Sequence, residues 1–167
     1  HFVVCAVISY QSQGCIANLL AVVVGNPARI TGYVNTTNIR PVEDVLGNEA
    51  LPVGETGARL YRIPRFADMR GTLNVLEVEK ILPFSVKRIF YTYGVNSSEV
   101  RGEHAHRRCE QFLIAVSGSL KVVVDDGDHK EEYSLTNPSC GLHLPAGCWG
   151  LQYCHSPDCV LLVLASR

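Results

Sequence analysis

Beyond residue 58 the chain offers no stretch with helical periodicity; what recurs is a short extended run closed by a turn. Leu73-Asn74-Val75-Leu76-Glu77-Val78 alternates, and Lys87-Arg88-Ile89-Phe90-Tyr91-Thr92-Tyr93 is aromatic and β-branched. Gln111 to Val116 and Leu120 to Val124 flank Ser117-Gly118-Ser119, a hairpin turn, and Asp125-Asp126-Gly127-Asp128 is a second strong turn. Glu132 to Leu135, Gly141 to Leu144 and Cys159 to Ala165 complete the series. Short strands at even spacing cannot each bury a core alone, and their stable solution is a sandwich or a barrel. The expectation is therefore an all-β domain over residues 58–167.

The preceding residues differ in kind. Residues 35–57 are polar and turn-rich, with Asn35-Thr36-Thr37-Asn38, Pro41, Gly47, Pro52, Gly54 and Gly57, and read as a linker. Residues 1–34 are β-branched and punctuated by glycine, and end in Val22-Val23-Val24-Gly25-Asn26-Pro27-Ala28-Arg29-Ile30-Thr31-Gly32-Tyr33-Val34. This phrase resembles the closing coil of left-handed β-helix (hexapeptide-repeat) acyltransferases. One or two coils of a solenoid bury no core, so no acyltransferase activity is expected of this chain. A chain opening on His1 reads as a piece of something longer. The apolar pieces Phe2 to Ile8 and Leu19 to Gly25 are split by polar residues and too short to span a bilayer, and no basic segment precedes them.

Composition narrows the partners. With 15 basic against 16 acidic residues the net charge is −1, so nothing draws the whole molecule to nucleic acid or to an anionic membrane. An anionic ligand must be held by local arginines. The 7 cysteines are odd in number and form no C-x-x-C pair, which reads as reduced thiols in a cytoplasmic protein rather than as a disulfide framework.

The run Arg101-Gly102-Glu103-His104-Ala105-His106 carries the chemistry. On a strand, residues two apart face the same side, so His104 and His106 point together. With Gly118 six residues past Gln111 and with Pro145-Ala146-Gly147 further on, the order resembles the two motifs of the cupins. That resemblance implies a double-stranded β-helix, or jelly-roll, barrel. A metal cupin would have a Glu where this chain has Gln111, and a His where it has Gly150. A neutral amide and a glycine replace an anion and an imidazole, so no metal and no cofactor are expected. Glu110, beside Gln111, would face the other way. Paired imidazoles without a metal suit acid–base catalysis, because they titrate near neutral pH.

Arg70, Arg88 and Arg101 are candidate phosphate ligands, with solvated surface charge as the competing reading. Tyr91 and Tyr93 share one strand face and either meet a sugar or base, or pack as aromatics.

Taken in order, Asp68-x-Arg70-Gly71-x-Leu73, Pro83 to Tyr91, Arg101-Gly102-x-His104-Ala105-His106, Gln111-Phe112-Leu113, Asp125-Asp126-Gly127 and Asp158 to Ser166 resemble the WxcM-like sugar-nucleotide 3,4-oxoisomerases. The resemblance implies a dTDP-linked 4-keto sugar as substrate and carbonyl migration through an enediol without a redox cofactor. It implies His104, His106 and Tyr91 as catalytic residues, with Tyr93 as the fallback tyrosine. It implies Arg70, Arg88, Arg101, Gln111 and Tyr93 as substrate contacts, and a homodimer with exchanged strands. Fusions to hexapeptide acyltransferases occur in the family, which would account for residues 1–34. Two other functions fit the same residues: a sugar-nucleotide epimerase on the same barrel, and a non-catalytic sugar-nucleotide-binding module.

Overall fold

The computed structural model describes residues 55–167 in full, and the backbone of three strands before them: β1 (Val4–Ser12), β2 (Cys15–Val23) and β3 (Leu51–Pro52). Then follow β4 (Arg59–Arg62), β5 (Arg65–Asp68), β6 (Gly71–Asn74), the short helix α1 (Val78–Ile81) and β7 (Arg88–Tyr93). The rest is strand: β8 (Arg101–Ala105), β9 (Gln111–Ser117), β10 (Leu120–Asp125), β11 (Lys130–Leu135), β12 (Cys140–Leu144), β13 (Trp149–Tyr153) and β14 (Val160–Ala165).

The all-β, cupin-type architecture expected from the sequence is the one formed. One sheet has the order β11-β10-β13-β8 and the other β3-β4-β12-β9-β14-β7, and every pairing is antiparallel. Two two-stranded sheets stand beside them, β1-β2 and the hairpin β5-β6, and neither pairs with the larger ones. Strand alternation sorts the side chains. Leu113, Ala115, Val122, Val124, Leu142, Leu144, Leu161 and Val163 meet in one core. Phe112, Ile114 and Leu164 face the opposite way, onto Ile63 and Leu82 under a cover of Leu76, Val78, Ile81 and Phe84. That second cluster overrides the sequence pattern at Leu73 to Val78. The expected strand stops at Asn74, and Val78 opens a single helical turn that lays its apolar residues on the back of the sheet.

Two boundaries differ from the sequence reading. The domain begins before residue 58: Leu51–Pro52 pairs with β4, and Thr56, 4% exposed, donates its hydroxyl hydrogen to Glu131 at 2.6 Å. Within residues 1–34, β1 and β2 form an antiparallel hairpin rather than the parallel coils of a β-helix, while residues 24–34 of the acyltransferase-like phrase lie outside the described residues. The cysteines also need one correction: Cys109, Cys140, Cys148 and Cys159 are free and buried, but Cys154 is disulfide-bonded. Among the described residues no helix is long and apolar enough to cross a membrane.

Gly141 shows how tightly the back of the sheet is packed, because a Cβ there would collide with the ring of Phe112, which is fully buried. Overpacking of a filled core costs about 1–3 kcal/mol. Gly141→Ala is expected to lower the stability of the full chain by that order, read as a lower urea midpoint with an unchanged slope.

Candidate active site

A cavity of about 470 Å³ lies between the two sheets, between strands β7 and β8, which are edge strands of their respective sheets. Its size suits a ligand of drug or cofactor dimensions. The four-stranded sheet and the chain just beyond β8 line it with Arg101, Gly102, His104, His106, Gly150 and Gln152. From the six-stranded sheet come Arg88, Phe90, Thr92, Gln111, Leu144, Leu161 and Val163.

A bulge decides what β8 presents. Opposite β13, Gly150 pairs with His104 and Leu151 with Gly102, so Glu103 is an extra residue without a partner. Gly102 and Glu103 both take the left-handed conformation, at φ 86° and 54°. Ordinary alternation would put Arg101 with Glu103 and Ala105 and turn both imidazoles away. The inserted residue resets the parity, and Arg101, His104 and His106 all reach the cavity. Gly102 is required there for a second reason: a Cβ would lie 2.7 Å from the carbonyl oxygen of Gly150.

The two imidazoles stand nearly perpendicular, with ring centroids 4.6 Å apart and Nε2 to Nε2 at 3.0 Å. His104 Nδ1 lies 2.5 Å from the carbonyl oxygen of Gly102, which can only accept, so Nδ1 carries a hydrogen and donates it. In neutral His104, Nε2 is then the acceptor. His106 Nε2 can donate its hydrogen to that lone pair across the 3.0 Å between them. Gln111 Nε2 is 3.3 Å from His106 Nε2 and reaches the pair from the opposite sheet. Burial holds the His106 imidazole below its ordinary pKa, and the neighbouring His104 and Arg88 push in the same direction. A neutral base at physiological pH is the result.

The donor set of a metal cupin is not assembled. Gln111 occupies the place of the carboxylate, Gly150 that of the last imidazole, and Glu110 faces outward to His143 Nε2 at 2.9 Å, as alternation requires. Among the described residues no group of three or more His, Cys, Asp or Glu is placed to hold a metal ion.

Of the sequence candidates, the cavity gathers His104, His106, Arg88, Arg101 and Gln111. Three others are elsewhere. Tyr91 and Tyr93 do share one strand face, but it is the outer one: they are 64% and 70% exposed and stack on each other with centroids 6.0 Å apart. Arg88, Phe90 and Thr92 hold the inner face of β7, so the catalytic and substrate-contact roles expected of the two tyrosines are not supported within this chain. Arg70 sits at the exposed turn between β5 and β6, paired with Asp68 at 2.5 Å, and does not line the cavity of its own chain. The sequence reading missed Thr92 and Gln152. Thr92 lines the cavity, its hydroxyl oxygen is buried without a hydrogen-bond partner, and counting by twos from Arg88 would have found it. Gln152 follows in the same way from Gly150.

Comparison with known proteins is consistent with this geometry. Residues 56–167 match the family described as FdtA: WxcM-like, C-terminal. The chain is 38% identical to the TDP-4-oxo-6-deoxy-alpha-D-glucose-3,4-oxoisomerase of Aneurinibacillus thermoaerophilus over 108 residues, 65% of this chain and 78% of that protein. The structure is similar to a 3,4-ketoisomerase from Helicobacter canadensis, with a TM-score of 0.64 and 36% identity over 66% of this chain and 83% of the other. It is similar too to the 3,4-ketoisomerase QdtA of Thermoanaerobacterium thermosaccharolyticum, solved as a histidine-to-asparagine variant with TDP-4-keto-6-deoxyglucose. There the TM-score is 0.64 and the identity 33%, over 66% of this chain and 80% of that one.

Arg88 disfavours the charged form of His106, so its removal relieves that cation–cation repulsion. In Arg88→Gln the His106 titration midpoint is expected to move up toward the ordinary histidine value, followed by the imidazole Cε1–H signals in proton NMR. An unmoved midpoint would separate the two side chains electrostatically.

Proposed function

The chain belongs to the WxcM-like, C-terminal (FdtA) family, and on that premise we propose that it converts a TDP-linked 4-oxo-6-deoxyhexose into the 3-oxo isomer in deoxysugar biosynthesis. The observation that carries this reading is the His104–His106 pair, aimed into a cavity with its Nε2 atoms 3.0 Å apart.

The chemistry asks little beyond proton transfer. The C4 carbonyl acidifies the hydrogen on C3. An imidazole Nε2 removes it, the electrons of the C3–H bond form a C3–C4 double bond, and the C4 oxygen is protonated to give an enediol. The C3 hydroxyl then loses its proton as its carbonyl forms, and the double-bond electrons take a proton at C4. Nothing is oxidised or reduced overall, so acid–base groups account for the reaction. The imidazole that takes the C3 proton becomes an imidazolium, and in that form it can give a proton back as an acid. Arg88, Arg101 and Gln111 are read as substrate contacts: the guanidiniums suit the diphosphate and the amide suits a sugar oxygen.

Arg70 does not line the cavity of its own chain, so its role in substrate binding is assigned to the site of a second copy. The surface supports a homodimer: Phe66, Met69 and Leu73 on the β5-β6 hairpin, and Ile89, Tyr91 and Tyr93 on the outer face of β7, are large and exposed. Exposed apolar patches of this kind mark interfaces. In this reading the hairpin crosses to the partner, and Tyr91 and Tyr93 are interface residues. A cytoplasmic location belongs to the same reading, since nucleotide sugars are intracellular metabolites. The description of residues 1–34 as the remnant of a fused acyltransferase stays a proposal supported by the Val-Val-Gly-Asn-Pro-Ala-Arg-Ile phrase alone.

His104→Asn is expected to lose at least ~10²-fold in turnover while keeping affinity for TDP, measured by NMR of the sugar and by calorimetry. A binding module would have no turnover to lose. Mixing Arg70→Ala with His104→Asn protein is expected to restore activity that neither variant has, because a mixed dimer holds one site with both residues intact. If Arg70 served its own chain, mixing would restore nothing.

A further inference from the structure

His106 and Gln111 meet although they come from different sheets. His106 follows β8 and Gln111 opens β9, and the chain crosses between them through Arg107, Arg108, Cys109 and Glu110. How close the Gln111 amide stands to His106, with 3.3 Å between their Nε2 atoms, depends on where that crossing ends. Its last residue is Glu110.

The backbone ladder does not fix this end on the β12 side. The register of β9 with β12 runs through Leu113 with Leu142, Phe112 with His143 and Gln111 with Leu144, so the next pair would be Glu110 with Pro145. Proline has no N–H to give to a ladder. A side-chain bond stands where the rung is missing: the Glu110 carboxylate accepts the Nε2 hydrogen of His143 at 2.9 Å. On its other flank Glu110 is tied through the backbone. Its N–H donates to the Ser166 hydroxyl at 2.9 Å, and its carbonyl accepts from the Ser166 N–H at 3.0 Å.

His143 is built into the packing. It is 6% exposed, and its ring lies 5.9 Å from that of Phe84 and 6.3 Å from that of Tyr61, centroid to centroid. Burial holds its pKa below the ordinary value, with Arg59 adding to the effect and Glu110 opposing it, so the ring is neutral. A carboxylate only accepts, so the one hydrogen is on Nε2. Nδ1 is then a bare lone pair, buried and without a partner. An orphaned buried acceptor is unfavourable, and an apolar ring of similar size would avoid it. What the imidazole supplies in return is one directed donor, aimed at Glu110.

We propose that the His143–Glu110 bond is a positioning device for the reaction: from the outer face of the six-stranded sheet it fixes the end of the crossing, and so holds Gln111 against His106 inside the cavity. Neither His143 nor Glu110 lines that cavity. The proposal rests on the isomerase reading and adds two residues that act through Gln111.

The test compares His143→Phe and Glu110→Ala, which each remove the bond, with His143→Gln, which keeps a donor near the position of Nε2. Three quantities are read on the full chain: turnover of TDP-4-oxo-6-deoxyglucose, affinity for TDP, and the His106 midpoint from its imidazole Cε1–H signal. Both bond-removing variants are expected to lose about 10- to 100-fold in kcat with TDP affinity kept. In both, the His106 midpoint rises, because burial is the chief reason it is low and a displaced Gln111 admits water. The double variant is expected to lose no more than either single one, and His143→Gln to recover most of the turnover. Glu110→Ala is the decisive variant, since that side chain is 33% exposed and its loss opens no buried cavity. Unchanged kcat and an unchanged His106 midpoint there would overturn the proposal, whether or not the urea midpoint falls, because Ser166 alone would then hold the crossing. If the unmodified chain forms no 3-oxo product, the isomerase reading fails on that result, and the His106 midpoint by itself decides whether the bond positions Gln111.

Discussion

Strand β9 is covered on both faces, and the site hangs on that fact. Residues Phe112 to Ala115 are buried in succession, with Leu113 and Ala115 turned to the core between the sheets and Phe112 and Ile114 turned to the cluster under α1. A strand held between β12 and β14 and packed on both sides has one permitted register, since a slip of one residue would exchange its two faces. Gln111 begins this strand and therefore meets His106 from a fixed position. Glu110, one residue earlier, is anchored on the other side by His143, and its backbone is tied to Ser166.

Against that fixed frame, β8 is an edge strand with an irregularity. Edge strands tolerate bulges because only one ladder is disturbed. The extra residue Glu103 turns what would have been an outward pair of histidines into an inward one, and the carbonyl of Gly102 then fixes the His104 ring by accepting its Nδ1 hydrogen. Backbone irregularity and catalytic geometry are the same feature here. The bulge, the glycine that fits under Gly150, and the tautomer of the imidazole cannot be changed independently.

The cavity is polarised accordingly. Proton carriers occupy the side from which β8 comes, while the facing sheet gives apolar surface, an amide, a hydroxyl and a permanent cation. Such a division suits a reaction whose chemistry is confined to two neighbouring carbons of a bulky, anionic substrate. The outward face of β7 and the β5-β6 hairpin carry exposed large apolar residues, among them Phe66, Met69, Leu73 and Ile89.

Much of this was legible in the residues themselves. Alternation and turn chemistry placed β7 and β9 to β12 within one or two residues, because their side-chain period is dictated by burial on two faces. The spacing of His104, His106, Gln111, Gly118 and Gly150 exposed both the cupin frame and the loss of its metal donors, since ligand chemistry is a property of residue types. What the sequence could not determine was parity and reach. Whether Tyr91 or its neighbours Phe90 and Thr92 faced inward depended on which sheet covered which side of β7. Arg101 and His104 share a cavity only through a bulge that no local signal announces. The turn bearing Arg70 does not line its own chain's cavity, and the β5-β6 hairpin that carries it pairs with neither large sheet. Residue identity sets what chemistry is available, and only the packing of one sheet against the other decides which way each side chain points.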